Sequence, residues 1–120
     1  MDDLTSMSLA KMALALRNRT VSSRELVEES LRRIARLNAG LNAFITITDE
    51  TALAEAVLRD HELASGIDRG PLHGIPIAHK DLVRTKGVRT TAGSKIFADY
   101  IPARDAVIAS QLHEIGRAHV

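Results

Sequence analysis

Gly74-Ile75-Pro76-Ile77-Ala78-His79-Lys80-Asp81 opens as an apolar, β-type run and ends on a charged pair with no turn residue between. A strand that buries Ile75, Ile77 and Ala78 would carry the next residues to a sheet edge close to the core. Pro76 has no N–H for a ladder, so it belongs at an edge or at the start of that strand. A lysine at such an edge is expected to be partly desolvated. Desolvation disfavours the ammonium form and suits Lys80 to work as a base. A solvated Lys80–Asp81 ion pair, worth little, is the competing reading of the same residues.

Upstream, residues 65–71 are rich in turn formers and read as a linker. Residues 49–64 read as a helix capped by Thr48 or Asp49, with Leu53, Ala56, Val57 and Leu63 inward, a Glu55–Arg59 surface pair, and Gly66 as its stop. The run LNAFITIT at residues 41–48 sets β-formers side by side, Phe44 to Thr48, and predicts a strand. Ser22-Ser23-Arg24-Glu25 has the S-x-x-E pattern of a capping box. It opens a helix with Val27, Leu31, Ile34 and Ala35 as the buried stripe, Glu28–Arg32 and Glu29–Arg33 on the wet side, and Asn38 and Gly40 at the stop. Residues 4–19 form a first helical segment with Ser8 as N-cap.

Downstream, residues 82–87 read as a loop. The small polar run Thr90-Thr91-Ala92-Gly93-Ser94 is a polar loop or an anion-binding nest of backbone amides. It has neither a P-loop lysine nor a G-x-G-x-x-G spacing. Pro102 breaks the chain, and Asp105 is the expected N-cap of a last helix carrying Ala106, Val107, Ala109 and Leu112. The five histidines, His61, His73, His79, His113 and His119, include no H-x-x-x-H pair. His79 and Asp81 would share a strand face, but zinc takes three or four ligands. Packing or surface histidines are therefore expected, with no metal and no cofactor.

Composition bounds the classes. A chain of 120 residues, 45% hydrophobic and 26% charged, is that of one globular domain. A net charge of +1 gives no patch for nucleic acid or an anionic membrane, and Arg32, Arg33 and Arg36 are balanced by Glu28 and Glu29 on one helix. The acidic start Met1-Asp2-Asp3 lacks the apolar core of a signal peptide, and no apolar run is long enough to span a bilayer. The absence of cysteine fits a cytoplasmic protein. Aromatic content of 2% is low for a free-standing core and suggests part of something larger.

In combination these residues carry more than they do separately. The run GPLHGIPIAHKDLVRTKGVRTTAGSKIFADYIPARDAVI, residues 70–108, closely resembles the N-terminal part of the amidase signature family. The glycine-proline entry, G-I-P-I strand, K-D pair, T-T-A-G-S loop and P-x-x-D-A helix start stand in the family's order and spacing. The resemblance reaches back through LNAFITIT and covers residues 1–114. It implies an α/β fold: N-terminal helices and the first strands of a mixed sheet, here incomplete. It implies amide hydrolysis by a Ser–Ser–Lys triad, with Lys80 as the catalytic lysine and Asp81, Thr91 and Ser94 in supporting roles. Serine is a poor nucleophile until a positioned base takes its proton.

The departures matter as much. His79 stands where the family commonly has a small apolar residue. The family's two serines lie in a glycine-rich segment downstream, and neither Ser94 nor Ser110 has that setting, so the chain alone is expected to be inactive. Glu114 to Val120 is what the bases GAGATCGGAAGAGCACACGTC encode, which after the first base is a common sequencing-library adapter. Residues 115–120 are accordingly expected to be a non-native tail. The implied partners are a small amide substrate or, if this is the A subunit of a tRNA-dependent amidotransferase that hydrolyses glutamine, its companion subunits. A non-catalytic helical interaction module is the alternative of another class.

Overall fold

Two serines set the helical half of the chain. In this computed structural model, which describes residues 3–120, Ser8 accepts the Lys11 N–H at 3.3 Å and starts α1, Leu9–Arg17. Met1 and Asp2 of the acidic start, and the side chains of Thr5 and His119, lie outside the described residues. Ser22 opens α2, Ser23–Leu41, with the capping box formed in full: Ser22 Oγ accepts the Glu25 N–H at 3.1 Å and the Glu25 carboxylate accepts the Ser22 N–H at 2.8 Å. Asp60 of α3, Asp49–Ala64, accepts the N–H groups of Ser23 at 2.7 Å and Arg24 at 3.1 Å. A carboxylate from a neighbouring helix thus meets the positive end of α2.

The end of α2 differs from expectation. Gly40 lies inside the helix, which stops at Asn42 in the left-handed conformation, φ 49°. Asn38 instead clasps Phe44, donating to its C=O at 2.9 Å and accepting its N–H at 2.8 Å. The expected strand over residues 41–48 does not form: residues 43–48 are irregular, and Ile45 and Ile47 are exposed. β-formers without a neighbouring edge have no ladder to join, and Asn38 has already taken the backbone of Phe44.

The buried face of α2 is Leu26, Val27 and Ile34, with Leu31 half-buried and Ala35 exposed. Its ion pairs include Arg24–Glu28 at 2.7 Å and Arg32–Glu29, while Arg33 reaches Asp3 at 3.8 Å. The expected Glu28–Arg32 and Glu29–Arg33 registers are thus replaced by other pairings. α3 packs on α2 through Ala52 and Ala56, while Val57 turns outward. Gly66, φ 85°, ends α3, and the Ile67 N–H returns to the Glu62 C=O at 2.8 Å, a glycine-capped C-terminus.

The core lies in two parts. Ala13, Leu16, Val21, Leu26 and Ile75 form one cluster, and Val27, Ala52, Ala56 and Ala118 the other. Ile75 belongs to the G-I-P-I run, whose strand β1, Pro76–Ile77, pairs in parallel with β2, Ala118–His119. Pro76 is the first residue of β1, where its missing N–H costs no ladder bond. Between the strands run a 3-10 turn, Lys95–Phe97, and α4, Val107–Glu114. Asp105 does not cap α4: its carboxylate accepts the Lys86 N–H at 2.6 Å, and Ala106 holds the cap position. The described residues thus hold four α-helices and little strand, and no helix among them is long and apolar enough to cross a membrane.

Candidate active site

β1 ends at Ile77, and the chain from Ala78 to Asp81 lines a cleft of about 420 Å³ opposite Phe44 and Thr46. Lys80 is exposed on this cleft, so the expected desolvation is not found among the described residues. Its backbone is nevertheless constrained, because the Lys80 C=O accepts the Val83 N–H at 2.9 Å and closes a turn.

Asp81 is fixed by Thr91. The Thr91 N–H donates to Asp81 Oδ1 at 2.9 Å, the Thr91 hydroxyl donates to Oδ2, and the Ala92 N–H donates to the Asp81 C=O at 2.9 Å. The Thr91 hydroxyl above all, helped by the Thr91 and Gly93 amides and by Arg89, holds the Asp81 carboxyl below the usual range against the opposing effect of burial. The Gly93 N–H goes to the Thr91 hydroxyl oxygen at 3.3 Å. The amides that would have formed an anion nest are therefore taken up within the protein. Ala92 is left-handed, φ 52°, a strain of about 1 kcal/mol for a residue with a Cβ, offset by its bond to Asp81.

Ser94 is engaged elsewhere. Its hydroxyl oxygen accepts the Ile96 N–H at 3.2 Å and caps the 3-10 turn, while its own N–H donates to the Thr91 C=O at 2.9 Å. His79 and Asp81 do not share a strand face, because β1 has already ended. Burial lowers the pKa of His79; the charge of Asp105 opposes this, and that of Arg117 adds to it.

A cluster that the sequence does not announce stands behind the strand. Arg59 of α3, 2% exposed, donates to both Glu62 oxygens at 3.0 Å, where the helical spacing had suggested a surface pair with Glu55. Arg69 donates to Glu62 at 2.7 and 3.1 Å and to the Glu114 C=O at 3.2 Å. These bonds, led by Arg69, hold the Glu62 carboxyl down to about 2 although burial pulls it upward. His73, 3% exposed, accepts the Arg69 N–H on Nδ1 at 3.0 Å, so its Nε2 donates to the Arg59 C=O at 3.2 Å. One available sign was Arg59 itself, which continues the buried Ala52, Ala56 stripe at helical spacing.

The family follows from comparison. A family model described as "Amidase" matches residues 25–120. This chain belongs to the amidase family. Among amidase relatives, the A subunit of the glutamyl-tRNA(Gln) amidotransferase of Azoarcus sp. (strain BH72) is 50% identical over 109 residues, 91% of this chain and 22% of that protein. The protein of the same name from Azotobacter vinelandii is 48% identical over 110 residues, 92% of this chain and 23% of the relative. The solved native peptide amidase from Stenotrophomonas maltophilia superposes with a TM-score of 0.90 at 32% identity, over 96% of this chain and 24% of that one. The chain spans about a quarter of the length of the amidases it matches.

Proposed function

We propose that this chain is the N-terminal part of an amidase that hydrolyses carboxylic amides to an acid and ammonia or an amine, with Lys80 as the base of a Ser–Ser–Lys triad. The supporting observation is the position of Lys80: an exposed amine on a cleft, between the end of the G-I-P-I run, whose Ile75 is buried in the core, and the Asp81–Thr91 clamp. That arrangement leaves the amine accessible while its backbone is held, as a base awaiting its partners requires. Asp81 and Thr91 act by holding the turn, and Ser94 by capping the segment that follows Thr91. The serines are supplied by the glycine-rich segment that the family resemblance implies. The chain by itself does not turn over amides, and we place the complete enzyme in the cytoplasm.

Relatives named as amidotransferase A subunits reach 50% identity, whereas the solved peptide amidase is 32% identical, which favours a second form of the same reading. In that form the complete protein hydrolyses glutamine beside partner subunits. Assaying the complete reading frame on glutamine, with and without such partners, and on small aryl amides separates the two. Lys80→Met in that protein should lower kcat by about 10²–10⁴-fold, the usual contribution of a positioned base. Its stability should change by less than about 0.5 kcal/mol, because the side chain is exposed. Turnover unaffected by this substitution would end the proposal.

Residues 115–120 are proposed to be a non-native tail. Arg117 supports this: burial lowers its pKa, and its Nε is enclosed without a hydrogen-bond partner. Gly116 and Ala118, by contrast, suit their surroundings, since Ala118 is fully buried and a Cβ on Gly116 would stand 3.0 Å from His73 Nδ1. A genomic read of the same frame that retains this tail would refute the proposal.

A further inference from the structure

Lys80 reaches the cleft at the end of a strand whose beginning is fixed far from it, and the fixing side chain is His73. We infer that His73 is a positioning residue for Lys80, acting through the backbone of Gly74 to set where β1 and the residues after it lie. The inference rests on the proposed role of Lys80 for its catalytic readout, but its geometric basis is independent of that role.

The His73 ring ties two backbone segments together. Nδ1 accepts from the Arg69 N–H and Nε2 donates to the Arg59 C=O, so the loop before β1 is pinned to α3 by a single imidazole. Arg59 and Arg69 are in turn joined through Glu62, which leaves the ring little room to shift.

The next residue carries the constraint forward. The Gly74 C=O accepts the Ser23 hydroxyl of α2 at 2.6 Å. Gly74 itself has φ 79°, and a Cβ there would stand 3.2 Å from Ser23 Cβ. Ile75, 1% exposed, is then buried in the first core cluster, and its N–H donates to the Leu72 C=O at 3.2 Å. Held residues therefore run from the His73 ring through Gly74 to Ile75, at the entry to β1, with no contact from residues 115–120 needed. Lys80 follows five residues after Ile75, with the Asp81–Thr91 clamp beyond it. Removing the ring frees the loop before β1 from α3 and leaves the Ser23–Gly74 bond and the downstream clamp. A base displaced by about 1 Å loses on the order of 10²-fold in rate.

The test uses the complete reading frame with His73→Ala, His73→Gln and, as a stability control, Val27→Ala, which opens a cavity in the second core cluster away from His73. Glutamine keeps one acceptor and one donor at a spacing close to that of the imidazole nitrogens. We expect His73→Ala to lower kcat 10-fold or more with KM little changed, His73→Gln to recover most of that loss, and Val27→Ala to melt earlier with kcat intact. Hydrogen exchange of the amides from Gly74 to Lys80 should quicken in His73→Ala but not in Val27→Ala. Equal exchange in those two variants, or equal loss of kcat, overturns the inference. If the unsubstituted protein hydrolyses no amide while the selective exchange change is present, the catalytic reading fails and the positioning role of His73 stands.

Discussion

Leu16, Leu26, Val27 and Ile75 are 3%, 2%, 0% and 1% exposed, whereas Tyr100, Ile101, Val107 and Ile96 are 40%, 59%, 74% and 89% exposed. The first group belongs to the helices and to the strand that enters the site, the second to the chain that follows Lys80. Residues 82–108 contain as suitable a set of core formers as residues 9–77 and bury almost none of them. Their shape comes from hydrogen bonds: Gly87 N–H to Pro102 C=O at 3.0 Å, Thr90 N–H to Tyr100 C=O at 2.9 Å, and Ala106 N–H to Arg84 C=O at 2.7 Å. The contrast teaches that apolar composition decides nothing about stability until a second apolar surface covers it. The region before Lys80 is held by burial, and the region after it by backbone pairing.

The largest expected effect tests that contrast directly. Ile75→Ala removes a fully buried side chain from the first core cluster and should cost about 3 kcal/mol. Ile96→Ala, at a side chain 89% exposed, should fall within about 0.5 kcal/mol of the unsubstituted protein. Urea unfolding midpoints of the two variants provide the measurement. Comparable losses would mean that residues 82–108 are packed in solution, and the distinction between the regions would disappear.

How much of this was legible in the sequence depends on how far apart the interacting groups are. Ser8, the Ser22–Glu25 capping box and the turn at Gly66 involve residues within one helical turn, and all three formed as the spacing predicts. The T-T-A-G-S segment was readable as a loop, but not its use, because the acceptor for the Thr91 and Ala92 amides is Asp81, ten residues upstream of Thr91. The strand predicted over residues 41–48 failed for the same reason: β-propensity is a statement about neighbours that the chain does not place there. Asp60 at the head of α2 joins residues 37 apart, and beyond the i,i+3 pair Arg59–Glu62 the bonds of the Arg59–Glu62–Arg69–His73 cluster reach from α3 into the loop before β1. No periodicity records such a join. A charged residue on a buried stripe is the nearest thing to a signal, and it indicates that a partner exists without identifying it.

That cluster supplies the next effect in size and sharpens the comparison on the buried side. Glu62, held to about 2, lies below its ordinary carboxyl value of 4.5. Its stabilising contribution is therefore complete above about pH 5 and is lost as the pH falls through about 2. The loss should be on the order of 2 kcal/mol, discounted for the solvent that reaches Arg69. Glu62→Gln should flatten this acid limb without abolishing it, since Glu25, Asp68 and Asp81 are also held below their ordinary values. At neutral pH it should cost about 2 kcal/mol or more, because Arg59 would stay buried with its carboxylate gone. Unfolding curves from about pH 2 to 7 read both quantities, and an unchanged acid limb in Glu62→Gln would transfer the pH dependence to Glu25, Asp68 and Asp81.

The smallest effect concerns a feature that was fully readable from sequence. Ser22→Ala deletes the hydroxyl half of the capping box, a change that ordinarily costs about 1 kcal/mol. Here it should fall toward the lower end of that range, because the first turn of α2 is capped from two directions. Asp60 already holds the N–H groups of Ser23 and Arg24, so the substitution orphans only the Glu25 N–H, in an exposed turn where water can replace the serine. If the loss instead matched that of Ile75→Ala, the start of α2 would be carrying the helical half of the molecule, and burial would no longer distinguish it from residues 82–108.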